Sequence, residues 1–242
     1  MNETKAASVP RTARERARTE ITREILDAAR RHLASDGAPT LSLRAIARDL
    51  GMASSAVYRY VASRDELLTR LIVDAYNSLG AAAEAAEIMV ARDDLGSRWS
   101  AICQAVRGWA LLNPNEYALI YGSPVPGYVA PPDTIAPASR VANLLVQILV
   151  DATVGGTLAR MVTEDQVSAE DRVALAPIRS FAGGEVPDAL IQRGLMAWSA
   201  LYGTVSFELF GQLHNVVGEE PGDREAYFAE CIRRWAQQVG VA

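Results

Sequence analysis

The chain has 242 residues, half of them apolar, and a formal charge of −5; it can bury one large core or two smaller ones, and a disordered polymer is excluded. Cys103 and Cys231 belong to no C-x-x-C pair, which excludes a disulfide framework and zinc-finger spacing; both read as buried small residues in a reducing cytoplasm. The N-terminus lacks an apolar signal-peptide core, and the most apolar run, residues 141–150, is broken by Asn143 and Gln147, so neither export nor a membrane span is expected.

Residues 1–18, with Pro10 and the alternating Arg11, Arg14, Arg16 and Arg18, read as a flexible basic arm running into a helix. Over 20–36 the residues Ile21, Ile25, Ala28, Ala29 and Leu33 recur at helical spacing, and Gly37 and Pro39 supply the stop. From Leu41 to Leu68 the pattern is a short helix, a turn at Gly51, a second short helix and the start of a third. Ala47 permits close helix approach, Gly51 is free to take positive φ, and Val57 is an inward anchor. This is a helix-turn-helix, and it points at DNA.

Ser63 and Glu66 form an S-x-x-E capping box that opens a connector helix running through Leu67, Leu68, Leu71, Ile72, Ala75, Tyr76 and Leu79 to about residue 87. Further helical patterns cover 95–112, 116–121, 137–161, 187–213 and 223–239. A Pro/Gly-rich passage fills 122–132, and a polar one with a short helical turn fills 163–187. No stretch alternates with period two, so the expected fold is all-α: an arm over 1–18, a three-helix DNA-binding domain over 19–64, and a helical ligand-binding and dimerisation domain over 65–242.

The charge is divided the same way. Residues 1–64 carry 12 Lys/Arg against 7 Asp/Glu, and the remainder carries 12 against 22. Cations gathered on the helix-turn-helix, with acid elsewhere, favour one docking face on a phosphate backbone. With Val57 and Val61 inward, Ser55 and Arg59 turn outward, Tyr58 and Ala56 flank them, and Ser54 sits at the helix start. Arg59 suits guanine or phosphate; Tyr58 offers a hydroxyl to phosphate and a ring to a thymine methyl. Ser42, at the cap of the first short helix, and Arg64, at the start of the connector, bracket the reading helix as phosphate clamps; capping alone also accounts for Ser42 and Ser63.

Farther on, Ile191, Leu195, Trp198, Tyr202, Val205 and Leu209 follow a 4-3-4-3-4 spacing, while Leu190, Ala197 and Leu201 make the other side of the helix apolar too. The last helix offers Phe228, Cys231, Ile232, Trp235 and Val239. These stripes fit a monomer core, or a helix pair meeting its symmetry mate through Ile191, Leu195, Tyr202, Val205, Leu209, Phe228, Ile232 and Trp235. Trp99, Trp109, Tyr117, Tyr121, Tyr128, Phe181 and Trp198 crowd the middle helices; with Gln104, Arg107 and Asn113 they mark a region for an apolar or aromatic effector, core packing being the plainer role of each. An enzyme is not expected. There is no G-x-S-x-G, no H-E-x-x-H, and Gly155-Gly156 lacks the rest of a Walker loop; no metal or cofactor is implied. His32 and His214 lie on separate helices, and Glu164-Asp165, Glu170-Asp171 and Glu219-Glu220 read as solvated acids.

The first 68 residues resemble the N-terminal domain of the TetR family of bacterial regulators. The matching pieces are Ile25-Leu-Asp-Ala-Ala29, Gly37, Leu43-Arg-Ala-Ile-Ala47, Leu50-Gly51, Val57-Tyr-Arg-Tyr60 and Ser63-Arg-Asp-Glu-Leu67. The resemblance implies an all-helical homodimer that binds a palindromic operator, most often as a repressor, and is released by a small molecule held in the C-terminal domain. By it Ser42, Arg44, Ser54, Ser55, Tyr58, Tyr60 and Arg64 fall on DNA-contacting positions. Ala53 stands where the family often has a capping Ser or Thr, Val61 where it often has Phe, and His32 where it has an apolar residue. Residues 107–117 and 198–203 are similar to a subgroup named for a Trp-His-Gly signature, with Tyr202 where the His would be. The rival expectation is a small-molecule binding or scaffold protein that keeps the helix-turn-helix as a packing unit; a gel shift separates the two.

Overall fold

The computed structural model describes residues 12–156, 167–184 and 186–242. The expected arm over residues 1–11 and the end of the expected helix beyond residue 156 lie outside these. The rest of that arm is helix: Thr12 Oγ1 accepts from the Glu15 amide and Glu15 accepts from the Thr12 amide, a complete capping box that opens α1 (Ala13–Asp36). Ile25, Ala28, Ala29 and Leu33 are its buried face, and Gly37, at φ +78°, ends it.

A 3-10 turn (Ala38–Thr40) leads into α2 (Leu43–Asp49), followed by α3 (Ser54–Val57) and α4 (Arg64–Glu87). With its 24 residues, α4 spans about 36 Å at about 1.5 Å per residue. Its first part buries Leu67, Leu68 and Leu71 in the same core as Ile25, Ile46 and Val57. Farther along, Ala75, Leu79 and Ala83 enter a second and larger core. The boundary expected after residue 64 is therefore no linker: one core gives way to the other within a continuous helix.

The second body contains α5 (Leu95–Leu112), α6 (Pro114–Tyr121), a 3-10 turn (Pro132–Thr134), α7 (Ile135–Ala138), α8 (Arg140–Gly155), α9 (Ala169–Ala174), α10 (Ala176–Phe181), α11 (Asp188–Leu209) and α12 (Pro221–Val239). The helix expected from 137 breaks at Ser139, where the segment Pro132–Ala138 meets α8 at 49°. No strand occurs among the described residues. No single described helix is long and apolar enough to cross a membrane.

Two expectations about burial change. Cys103 is buried, and burial pushes its thiol up, but Cys231 is half-exposed beside Tyr227. On the two last long helices, Ile191, Tyr202, Val205, Phe228 and Ile232 are each 7 % exposed or less. Expected at a subunit contact, they are filled positions of the chain's own core, because α11 packs against α5, α8 and α12. Leu195 stays exposed, while Leu209 and Trp235 are half-buried. The side of α11 turned outward carries Met196, Ser199, Gly203 and Phe207, with Phe210 following; on α12, Tyr227 and Cys231 lie outward.

Charged groups tie the helices together. Arg98, on α5, is 1 % exposed; its Nε is 2.6 Å from Glu87 Oε1, its Nη1 2.7 Å from Asp151 Oδ2, and it also donates to the Arg92 carbonyl. Arg140, at the start of α8, forks onto Glu84 of α4 and donates to the Asn77 carbonyl. Gly80 makes room for it: a Cβ there would stand 2.7 Å from Arg140 Nε. The start of α8 is thus held to the connector helix directly, and Asp151 farther along it only by way of Arg98 on α5, in both cases by charge-assisted hydrogen bonds.

Candidate nucleic-acid interface

Between α2 and α3 the chain turns in four residues. The Met52 amide donates to the Ala47 carbonyl at 2.8 Å, and Gly51 takes φ +64°, a left-handed conformation that costs a residue with Cβ and costs glycine little. Ala47, 1 % exposed, lets the helices meet closely, and Val57 and Val61, both 0 % exposed, seat the second helix on the core. That seating fixes the outward set: Arg44, Ser54, Ser55, Tyr58 and Arg59 are exposed, and Ser42, Tyr60 and Arg64 are half-buried.

The reading helix begins without a side-chain cap, since its N-cap residue is Ala53. It makes a single α turn before tightening, with the Arg59 amide bonded to the Ala56 carbonyl and the Tyr60 amide to that of Val57. Ser42 makes no capping bond to α2 either, so the hydroxyl expected to cap is left to other donors and acceptors. Ser42, Arg44, Tyr58 and Arg64 line one shallow hollow on this face together with Leu41 and Leu43. Around it gather hydroxyls and guanidinium groups, which suit phosphate oxygens.

Arg64 is more than a surface cation. Its Nε donates to the Leu41 carbonyl at 3.1 Å, and Nη2 to those of Ala38 and Pro39 at 3.0 and 3.2 Å. The expected clamp is thus also a brace on the loop that delivers Ser42 and α2. Ser63 caps α4 through the Glu66 amide, but the capping box is shifted: the Glu66 carboxylate accepts from the Ala62 amide, not from Ser63. That bond holds the Glu66 carboxyl below its ordinary range.

Sequence reasoning missed Arg18. Assigned to the arm, it lies on α1, donates to the Arg59 carbonyl at 3.3 Å and stands over the Tyr60 ring at 5.6 Å. It holds the far end of the reading helix, and Tyr60 is correspondingly half-buried beneath it. His32, the other departure, joins Asp49 at 2.5 Å and so pins the end of α2 to α1. Neither contact was visible in spacing, because each links residues 17 or more positions apart.

The residues expected around an effector do not converge. Trp99 and Trp198 line one cavity. Gln104 is on an exposed face bonded to Ser100. Arg107 is spent on a bidentate pair with Glu208, at 2.7 and 2.6 Å, and lies over Phe228. Trp109 donates to Ser78 and borders a different, polar hollow with Arg30, Asp74 and Asn113. Tyr117 and Tyr121 belong to an aromatic cluster with Tyr76, Tyr202 and Phe210, where the Tyr117 hydroxyl donates to the Tyr202 carbonyl. Burial raises the hydroxyls of Tyr121 and Tyr202. Phe181 is 43 % exposed, and the Tyr128 hydroxyl meets Thr69 of α4. Helical spacing brought Trp99, Trp109, Tyr117 and Tyr121 inward, but onto separate helix interfaces, and left Phe181 and Trp198 exposed.

Two family models match. "Bacterial regulatory proteins, tetR family" covers residues 25–71, and "Tetracyclin repressor-like, C-terminal domain" covers residues 99–235. The chain is 44 % identical over 218 residues to the HTH-type transcriptional regulators Rv1816 of Mycobacterium tuberculosis and Mb1846 of Mycobacterium bovis, covering 85 % of this chain and 88 % of each relative. Among solved structures, SCO4313, described as a regulatory protein, aligns with a TM-score of 0.74 and 36 % identity over 93 % of this chain and 100 % of its own. A protein of unknown function from Rhodococcus sp. RHA1 shares the fold at a TM-score of 0.64 and 21 % identity, over 99 % and 97 % of the two chains.

Proposed function

Because the chain belongs to the tetR family of bacterial regulatory proteins and is a DNA-binding transcriptional regulator rather than an enzyme, we propose that it is a cytoplasmic repressor. Two copies bind a palindromic operator and leave it when a small molecule occupies the C-terminal body. The observation that carries this reading is the face of α2 and α3: buried Val57 and Val61 force Ser55, Tyr58 and Arg59 outward on a short uncapped helix. In this reading Ser55 and Arg59 meet base edges, while Ser42, Arg44, Ser54 and Tyr58 meet phosphates. Arg64 and Tyr60 contribute by holding their neighbours in place, with the backbone amides at the start of α4 left to face the duplex.

The second copy is proposed to pack on the outward side of α11 and α12. Met196, Phe207, Phe210 and Tyr227 are each at least 40 % exposed there, and Gly203 and Ser199 permit close approach of a mate. Leu195, Leu209 and Trp235 border that face. A dimer so formed places its reading helices in successive major grooves, about 34–36 Å apart.

Release follows from α8. Its inner residues Leu145 and Leu149 line the cavity beside Trp99, and its ends are held to α4 through Arg140 with Glu84 and through Asp151 with Arg98 and Glu87. A ligand that prefers a shifted α8 shifts α4, and with it the spacing of the heads, by its differential affinity for the two states. Within the family, residues 107–117 and 198–203 support placing the C-terminal body near the Trp-His-Gly subgroup, with Tyr202 serving as a core aromatic instead of the His.

Footprinting the protein on the DNA upstream of its own gene tests the proposal. The expected result is a two-fold protected site with half-sites one helical turn, or a multiple, apart. Failure to bind any genomic fragment, with the fold intact, would return the chain to the class of ligand-binding or scaffold proteins.

A further inference from the structure

Between α6 and the 3-10 turn at Pro132–Thr134 the chain runs through residues 122–131 without helix or strand. The passage is stiff all the same, because Pro124, Pro126 and Pro131 each fix their φ. At its middle Val125-Pro126-Gly127-Tyr128 closes a turn. The Tyr128 amide donates to the Val125 carbonyl at 3.2 Å, and Gly127 takes φ +78° directly after Pro126. Proline followed by a residue at positive φ is the signature of a type II turn, so the bend is set by its own sequence.

This turn holds the DNA-binding head. Its two end residues, Val125 and Tyr128, are half-buried against the core that contains Ile25, Ile46, Val57 and Leu68, while Pro126 and Gly127 at the corner stay exposed. Among the described residues, they and Leu119 of α6 are the apolar side chains from beyond α4 that pack on that core. The Tyr128 hydroxyl lies 2.9 Å from Thr69 Oγ1 on α4. Thr69 gives its one proton to the Asp65 carbonyl at 2.9 Å, so Tyr128 is the donor to it. Beyond the passage, Arg140 grips Asn77 and Glu84 of the same helix. The segment from Val125 to Arg140 thus attaches to α4 on both the head's part and the body's part.

A second attachment matters because α4 passes from one core to the other within a single turn: Leu71 belongs to the head's core and Ala75 to the body's. A head carried by one helix alone is free to rock at that junction, and a tether placed off the helix axis opposes the motion. Resting on the reading of the chain as a dimer on a two-fold operator, we propose that Val125 and Tyr128 are positioning residues for operator recognition. They act without touching DNA, by fixing each head on its body so that the dimer accepts one separation of half-sites. One base pair inserted between half-sites moves them apart by about 3.4 Å and turns them by about 34–36°. Fixed heads refuse that misfit, and rocking heads absorb it.

Anisotropy titrations of the full chain on three duplexes test this: the footprinted operator, the same operator with one central base pair inserted, and a single half-site. The parent is expected to prefer the native spacing by at least about tenfold. Val125→Ala combined with Tyr128→Ala should bring that preference within about twofold, while affinity for the single half-site stays within about twofold of the parent's. Gly127→Ala adds a Cβ that meets nothing within 4 Å but strains the positive φ; it should lower the preference at least about twofold, and it serves if the double variant fails to fold by circular dichroism. A preference unchanged in both variants, a half-site affinity that falls as far as the operator's, or a parent indifferent to spacing would overturn the assignment and leave the regulator reading standing. A folded parent that binds none of the three duplexes would refute that reading, and the assignment with it.

Discussion

Replacing Arg98 by methionine keeps most of the aliphatic stem and removes the guanidinium on which three helices converge. At 1 % exposure that group stands between Glu87 and Asp151, whose side chains are only 16 % and 20 % exposed. Arg98→Met therefore leaves two poorly hydrated carboxylates facing each other and frees the Arg92 carbonyl. Breaking a buried ion pair from one side costs about 3–5 kcal/mol, which for a chain of this length is a melting point lower by roughly 10 °C. The acid limb gives a second readout. Burial pushes the Asp151 carboxyl up, but hydrogen bonds from Arg98, Gln147 and Arg92 outweigh it and hold the group below its ordinary 3.8. A carboxyl depressed in the folded state contributes stability above its unfolded pKa, and that contribution is lost as pH falls through the folded value. Urea melts of both proteins across the acid range should thus show the gap at its widest above about pH 5 and narrowing toward pH 3. A loss below about 1 kcal/mol, or a gap that stays constant down to low pH, would show that the Arg98 guanidinium is not what holds the two carboxylates.

Other outcomes follow from the same geometry. Arg64→Lys keeps the charge but loses the fork onto the carbonyls of Leu41, Ala38 and Pro39; it should cost about 1–2 kcal/mol in urea melts and weaken DNA binding with little change in salt slope, and full retention of both would show that charge alone matters there. Arg59→Ala should relax preference at one base pair of each half-site, whereas Arg44→Ala should weaken all sequences alike and lower the salt slope by about 1; competition with single-base operator variants distinguishes them. Gly80→Ala brings a Cβ against Arg140 and displaces it from Glu84. A helix-propensity gain of about 1 kcal/mol offsets the lost half-exposed pair, so its melting point by circular dichroism should stay within about 3 °C of the parent's; a larger fall would show that the fork of Arg140 outweighs the gain.

The DNA-binding head was legible because its signals are local. Gly51, the inward pair Val57 and Val61, and Ser63 before Arg64 each fix a conformation within a few residues, and the structure puts the outward set where that register demands. The C-terminal body was less legible for a matching reason. Helix α11 is apolar all round, so periodicity offers no contrast between the face that meets α5 and α8 and the face that meets solvent. The regular stripe from Ile191 to Leu209 was mostly the inner one, and the exposed one, Met196 to Phe207, is diluted by Ser199 and Gly203. Arg98 carries no signal in the sequence, because Glu87 and Asp151 are brought to it from other helices. Arg18 and Arg64 likewise act on carbonyls that no side-chain pattern reveals.

Whether two joined copies hold the operator is decided by sedimentation equilibrium of the protein alone and with its footprinted duplex. A dimer is expected in free solution and two or a multiple of two chains per duplex, with Met196→Asp and Phe207→Asp shifting both toward monomer and abolishing the protected site while the helical content is retained. A folded monomer that protects the full two-fold site by itself, or a stable dimer untouched by both substitutions, would contradict it.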